Sequence, residues 1–183
     1  MKKIFILFLF VSSVFTSCSS VNTGRSQKNK TSVSVREKNI LQKYSTKLNV
    51  PVAQLQTPQL YEIIDQWIGV PYKYGGNSKK GIDCSGFAGM VYKTLTGKTL
   101  PRSSKDMYKE ILPNKKLEEG DLLFFNYENK NSHVGIYLHN GKFVHASTSL
   151  GVTISDLYSD HYKKTFNRGG PLKAGRLSKL SIK

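Results

Sequence analysis

The sequence predicts an α+β domain with helices packed on an antiparallel sheet, and three observations carry that prediction. Apolar residues recur at helical spacing through the first half, from Ile40 to Leu95. Short apolar or alternating runs of strand length take over from Leu122 onward. Two of them, His133–Leu138 and Lys142–Ser147, flank His139-Asn140-Gly141, a hairpin signal. Helices first and strands later is the α+β order. At 183 residues the chain has room for one domain plus a leader and a linker.

The leader comes first. Met1-Lys2-Lys3 is a basic start, Ile4 to Val11 is apolar, and Phe15-Thr16-Ser17 closes the segment just before Cys18. The apolar run is too short to span a membrane. Residues 1–17 resemble a bacterial lipoprotein signal peptide, with Phe15 where such signals usually carry an aliphatic residue. The resemblance implies that Cys18 is lipidated, as by palmitate, and becomes the new N-terminus. Ser19 and Ser20 are not acidic, so the expected location is the outer membrane, facing the periplasm. Residues 18–35 are Ser, Asn, Thr, Lys and Gln with few apolar side chains, and read as a flexible, lipid-anchored linker. Loss of Lys2 and Lys3 with the leader lowers the formal charge from +16 to +14. That balance suits wall-polymer carboxylates or lipid headgroups. Export and the lack of any nucleic-acid-binding motif argue against a nucleic-acid partner.

The helical region follows. Ile40, Leu41, Tyr44 and Leu48 mark a short amphipathic helix within an N-terminal extension, 36–56, with Pro51 after it. Thr57 can cap the next helix, Pro58 fits its first position, and Leu60, Ile63, Ile64, Trp67 and Ile68 form its core face until Gly69 and Pro71 end it. A Gly/Lys-rich loop to Gly81 leads into Asp83, a candidate N-cap, and a helix from Phe87 to Leu95. Ser103 or Ser104 caps a further helix to Ile111. Leu122–Phe125, the two hairpin strands, Gly151–Ile154 and Leu172–Leu177 are read as strands, with a helical turn around Asp156 to Lys163.

The hairpin fixes its own register. A two-residue Asn140-Gly141 turn would mix polar and apolar residues on both faces. A three-residue loop with Gly141 left-handed pairs Leu138 with Lys142, so that Ile136 faces Val144 and Val134 faces Ala146. The other face then carries His133, Gly135, Tyr137, Phe143, His145 and Ser147. His133 and His145 become diagonal neighbours within side-chain reach. His139, at the hairpin tip, and His161 are read as surface or satisfied core residues.

Cys84 is the single cysteine after Cys18. In the first turn after Asp83 it feels the positive end of the helix dipole, which favours thiolate. A thiol, a base and a group orienting that base are what thiol catalysis requires. Two other uses stay open at this point. One Cys and two His could hold zinc, although no CxxC or HxxxH spacing supports it. Cys84 could also bridge to Cys18 in an oxidising compartment, an option that lipidation removes.

Asp83-Cys84-Ser85-Gly86-Phe87, His133-Val-Gly-Ile-Tyr and His145-Ala-Ser, in that order, resemble the NlpC-type cell-wall cysteine peptidases. Pro71-Tyr72-Lys73-Tyr74-Gly75-Gly76, Leu100-Pro101-Arg102-Ser103-Ser104 and Gly120-Asp121-Leu-Leu-Phe-Phe125 extend the match. The resemblance implies a compact papain-like domain over 57–183. It makes Cys84 the nucleophile, His133 the base, His145 its orienting residue and Tyr72 an oxyanion partner. It places Asp83, Ser85 and Arg102 at the substrate and requires no metal or cofactor. The implied substrate is peptidoglycan stem or cross-link peptides, with the γ-D-glutamyl–diaminopimelate bond expected to be cut through a thioester. An amidase or acyltransferase with the same nucleophile, or a non-catalytic wall-binding lipoprotein, are the alternatives. Glu119 stands where many members have Pro.

Overall fold

A computed structural model describes the backbone of residues 24–180 and the side chains of residues 35–180. The leader, Cys18 and the first linker residues lie outside the described residues. Helix α1 (Gly24–Leu48) is longer than the helix expected around Ile40–Leu48 and reaches back into the stretch read as a flexible linker. Its first half is polar, and no proline interrupts it. Its C-terminal end belongs to the core: Tyr44 and Leu48 are fully buried. Tyr44 packs on Tyr61 of α2 (Pro58–Trp67), and Lys43 pairs with Asp65 at 2.5 Å. Among the described residues, no helix is long and apolar enough to cross a membrane.

A two-stranded ribbon, β1 (Asn77–Ser78) and β2 (Gly81–Ile82), occupies the Gly/Lys-rich loop and delivers the chain to α3 (Cys84–Thr96). Asp83 is the N-cap, accepting from the Gly86 N–H at 2.6 Å. Gly97 ends α3 in the left-handed conformation at φ 71°, where a side chain would be strained. One face of α3 (Phe87, Ala88, Val91, Tyr92 and Leu95) is buried, each large side chain contributing about 2 kcal/mol. Ser103 caps the short α4 (Ser104–Met107), accepting from the Asp106 N–H, and a 3-10 turn continues it to Glu110.

The sheet is antiparallel throughout. It comprises β3 (Leu122–Phe125), β4 (His133–Tyr137), β5 (Lys142–Ser147), β6 (Gly151–Asp156) and β7 (Phe166–Gly170), in the order β6-β5-β4-β3-β7. The β4–β5 register is the one the face pattern predicted: Ile136 opposite Val144, with Gly141 left-handed. Asn140 is left-handed too, at φ 51°. Helix α3 packs across β4 and β5 on the face of Ile136, Val144 and Ala146.

The chain's end departs from expectation. The predicted strand Leu172–Leu177 forms only isolated bridges at Leu172, followed by a 3-10 turn at Leu177–Lys179. The fifth strand is instead β7, after the short helix α5 (Asp160–Thr165). Its sequence, Phe-Asn-Arg-Gly-Gly, has almost no strand propensity. Pairing with β3 and close backbone packing decide it: a Cβ at Gly170 would lie 2.0 Å from the Leu112 carbonyl oxygen.

The histidine-bearing face of the sheet is not a second solvent face. Leu123, Phe125, Phe143 and Leu157 form a small second core there, with Tyr137, Tyr162, Phe166 and Leu117 against it. Leu122–Phe125 is buried on both sides, which explains its unbroken apolar run.

Candidate active site

The N-terminus of α3 points Cys84 at β4, and the sheet's two-residue period brings His133 and His145 together beneath α5. The three side chains are 6%, 4% and 1% exposed, so each interacts in a low-dielectric setting. His133 Nε2 lies 2.7 Å from His145 Nδ1, the rings edge to face. This leaves His133 Nδ1 as the nitrogen free to act on a thiol. The Cys84 thiol meets backbone N–H groups of Ser85 and Val134 and its own. Burial raises its pKa, those N–H groups oppose the rise, and Asp83 adds to it. Burial pushes His133 down to about 4 and His145 to about 3, with His161, and for His145 also His133, adding to the fall. The resting site is therefore a neutral thiol beside two neutral imidazoles.

Asp83 and Arg102 build the wall next to the thiol. The Asp83 carboxylate accepts from Gly86 N–H, Gly75 N–H (2.9 Å) and Ser85 Oγ (3.1 Å), and from both Arg102 guanidinium ends at 2.9 and 2.6 Å. Arg102 also donates to Ser85 Oγ at 2.8 Å. Burial alone would raise the Asp83 pKa, but Arg102, the Gly86 amide and Ser85 hold it below the ordinary carboxylate value. Every acceptor position on Asp83 is used, while Arg102 keeps half its side chain in solvent. Tyr72 bridges to Ile82 beside this group. Burial, then Cys84 and Asp83, raise its phenol, so it is a neutral donor.

The seven residues read from the sequence thus gather around the N-terminus of α3 and the adjoining strands β4 and β5, and Cys18 lies outside the described residues. Among the described residues, no group of three His, Cys, Asp or Glu side chains could share a metal ion. Sequence reasoning missed three contributors. Tyr127, in the β3–β4 loop, stacks on His133 with centroids 5.1 Å apart. Ser155 Oγ and Tyr162 Oη lie 3.0 and 3.1 Å from His145 Nε2. The face alternation of β6 could have placed Ser155; nothing local marks the tyrosines.

The two remaining histidines differ in their surroundings. His161 is exposed, with its ring against Tyr127 and Tyr162. His139 is the satisfied kind: its side chain is only 18% exposed and Nε2 sits 2.8 Å from Glu119. Buried Glu119 also accepts from Tyr61 Oη (2.5 Å) and the Gln56 N–H (3.1 Å), and Thr57 lies beside it short of hydrogen-bond geometry. Thr57 thus begins α2 without capping it through its side chain.

This fold, with a helix-borne cysteine facing a buried histidine pair, defines a papain-like thiol hydrolase. Comparison with known proteins makes the class specific. The NlpC/P60 family model matches residues 69–170, and the chain belongs to that family. That places it among the cysteine-type peptidoglycan endopeptidases. The chain is similar to the Escherichia coli K12 protein named murein DD-endopeptidase MepS/murein LD-carboxypeptidase, 37% identical over 163 residues that cover 86% of this chain and 85% of that one. It is also similar to the Bacillus subtilis strain 168 gamma-DL-glutamyl hydrolase, 38% identical over 105 residues, covering 54% of this chain but 25% of that protein. Among solved structures, a Bacillus cereus NlpC/P60 family protein superposes with a TM-score of 0.57 at 29% identity, covering 62% of this chain and 39% of that one.

Proposed function

We propose that Cys84, His133 and His145 hydrolyse a peptide bond of peptidoglycan stem or cross-link peptides through a thioester. The observation that carries this reading is the hydrogen-bonded, buried His133–His145 pair set against a cysteine on the first turn of α3. His133 Nδ1 takes the thiol proton as Sγ attacks the scissile carbonyl carbon, and His133 Nε2–H donates to His145 Nδ1, which favours the imidazolium. The thiol–imidazole hydrogen bond forms as substrate enters, a bond that catalytic sites commonly complete only in the substrate complex. The Cys84 N–H and the Tyr72 hydroxyl are the donors for the oxyanion. The imidazolium then protonates the leaving amine, and the C–N bond breaks to leave the thioester. A water molecule, giving its proton to His133, attacks that thioester; the acid departs and Sγ is reprotonated.

The bond is read as a D,D bond of cross-link peptides first and the γ-D-glutamyl–diaminopimelate bond second. Asp83 has no acceptor position left for a substrate ammonium, and the relative matched over most of both chains carries a DD-endopeptidase name. The basic chain suits a carboxylate-bearing polymer. Lipidation of Cys18 and a periplasm-facing outer-membrane location belong to the same reading, since a tether raises the local concentration of enzyme at the wall. Labelling with a fatty acid that persists in Cys18→Ser would defeat the anchor.

The full chain and its Cys84→Ala variant, incubated with purified muropeptides, test the reaction by product mass. Cross-linked dimers resolved to monomers only with Cys84 support the D,D reading. Release of the diaminopimelate-containing end supports the γ-D-glutamyl bond, and cleavage beside the sugar an amidase. Uncut fragments with both proteins overturn the hydrolytic reading in favour of wall binding.

A further inference from the structure

The far side of His145 holds groups that the proposed triad does not use. Residues of β6 alternate, so Val152 and Ile154 enter the main core while Thr153 and Ser155 face the histidines. Ser155 pairs with Phe143, two residues before His145 on β5. Helix α5 lays Tyr162 over the same spot, its ring edge-on to His145 and Phe143. His145 Nε2 thus faces two hydroxyls, Ser155 Oγ at 3.0 Å and Tyr162 Oη at 3.1 Å, and Ser155 Oγ donates to Tyr162 Oη at 3.4 Å.

Two proton arrangements satisfy the 2.7 Å contact between the imidazoles. In the first, His133 Nε2–H donates to His145 Nδ1, His145 carries its proton on Nε2, and His133 Nδ1 is left as a base. In the second, His145 Nδ1–H donates to His133 Nε2, and His133 carries its own proton on Nδ1, where it blocks uptake of the thiol proton. Only the first is competent, and only the first needs an acceptor at His145 Nε2. With its own proton committed to Tyr162, Ser155 Oγ offers that acceptor.

We propose that Ser155 and Tyr162 are positioning residues that hold His145 in its Nε2–H tautomer and thereby keep His133 Nδ1 free to act as the base. The proposal rests on the reading of Cys84, His133 and His145 as the catalytic set. Neither hydroxyl touches substrate; both act through His145. The titratable groups facing this cluster are Tyr127 on His133, His161 on Tyr162 and Tyr127, and Cys84 from α3.

The test uses the full chain with Ser155→Ala, Tyr162→Phe and the double variant, assayed on muropeptides. One remaining hydroxyl still accepts from Nε2–H, so each single variant loses no more than about fivefold in kcat. The double variant leaves that N–H unpaired and loses about 10- to 100-fold in kcat with KM unchanged. Ser155→Thr in the Tyr162→Phe background retains the single-variant rate. The discriminating arm is His145→Ala, which removes the ring through which both hydroxyls act: adding the double variant there costs no further rate. A double variant with wild-type kcat overturns the proposal. An equal loss in the His145→Ala background overturns it too, by showing a purely structural effect. Full activity of Cys84→Ala would instead sink the catalytic reading beneath it, which separates the two failures.

Discussion

Replacement of Asp83 tests how the fold makes the site. The carboxylate does two things: it caps α3 through the Gly86 N–H, and it neutralises Arg102 while tying down Gly75 and Ser85. Asp83→Ala removes both. The lost cap costs about 1 kcal/mol. The Arg102 pair adds about 1 kcal/mol, since the guanidinium side is half in solvent and discounted for screening. The Ser85 hydroxyl and Gly75 amide bonds add about 1 kcal/mol together. The total is about 3 kcal/mol, or about 6–12 °C in Tm for a domain of this size. Asp83→Asn keeps the cap and loses chiefly the ion pair, about 1 kcal/mol. Because the folded carboxyl sits below its ordinary value of 3.8, its stabilisation is complete at neutral pH and is lost as the pH falls through the folded value. The gap between wild type and Asp83→Asn therefore closes in strong acid. Thermal melts of the three proteins at neutral and acid pH measure this. An alanine variant melting with wild type, or an asparagine variant as unstable as alanine, would refute the division into cap and ion pair.

The remaining predictions concern the core and the buried titratable groups. His133 and His145 sit neutral in the fold, with pKa values near 4 and 3 against 6.5 when unfolded, so the unfolded chain binds more protons below pH 6.5 and stability falls on acidification. His133 alone accounts for about 3 kcal/mol between pH 6.5 and 4. Asp121, raised by burial to about 6 despite Arg176, works in the opposite sense over part of that range. Urea midpoints at pH 7 and pH 5 should therefore show the acid side less stable, and Asp121→Asn should widen the difference. Glu119→Ala leaves Tyr61, His139 and the Gln56 amide without their acceptor and should cost about 3 kcal/mol by denaturant titration, with kcat unchanged. Tyr44→Ala should cost about 3–5 kcal/mol, since the ring is fully buried between α1 and α2; a loss below about 1 kcal/mol would make α1 an appendage.

Much of the site was legible because its signals are local. Asp83 before a helix placed Cys84 on its first turn, and a hairpin whose face pattern tolerates a single register put His133 beside His145; the family resemblance, not a local signal, set the thiol against the pair. The Arg102–Asp83 pair spans two loops, so the sequence placed both residues at the substrate without revealing that they satisfy each other. Glu119 and His139 looked like loop and hairpin-tip residues because their burial comes from α1 and α2 closing over them. Strand β7 was missed since glycines and an arginine carry no strand signal; the groove between Leu112 and β3 selects them by shape. The second core beneath α5 was hidden for a related reason, because Tyr162 reaches His145 from a six-residue helix that local periodicity barely marks.

Whether Cys84 is the nucleophile of a peptidoglycan peptidase decides everything built on the site. Rates of muropeptide cleavage by the full chain and by Cys84→Ala, with Tm measured on both, test it most directly. The expected result is at least about a 10³-fold loss with Tm little changed, because the small thiol is replaced without opening a large cavity. Cleavage by Cys84→Ala within about tenfold of wild type would contradict it.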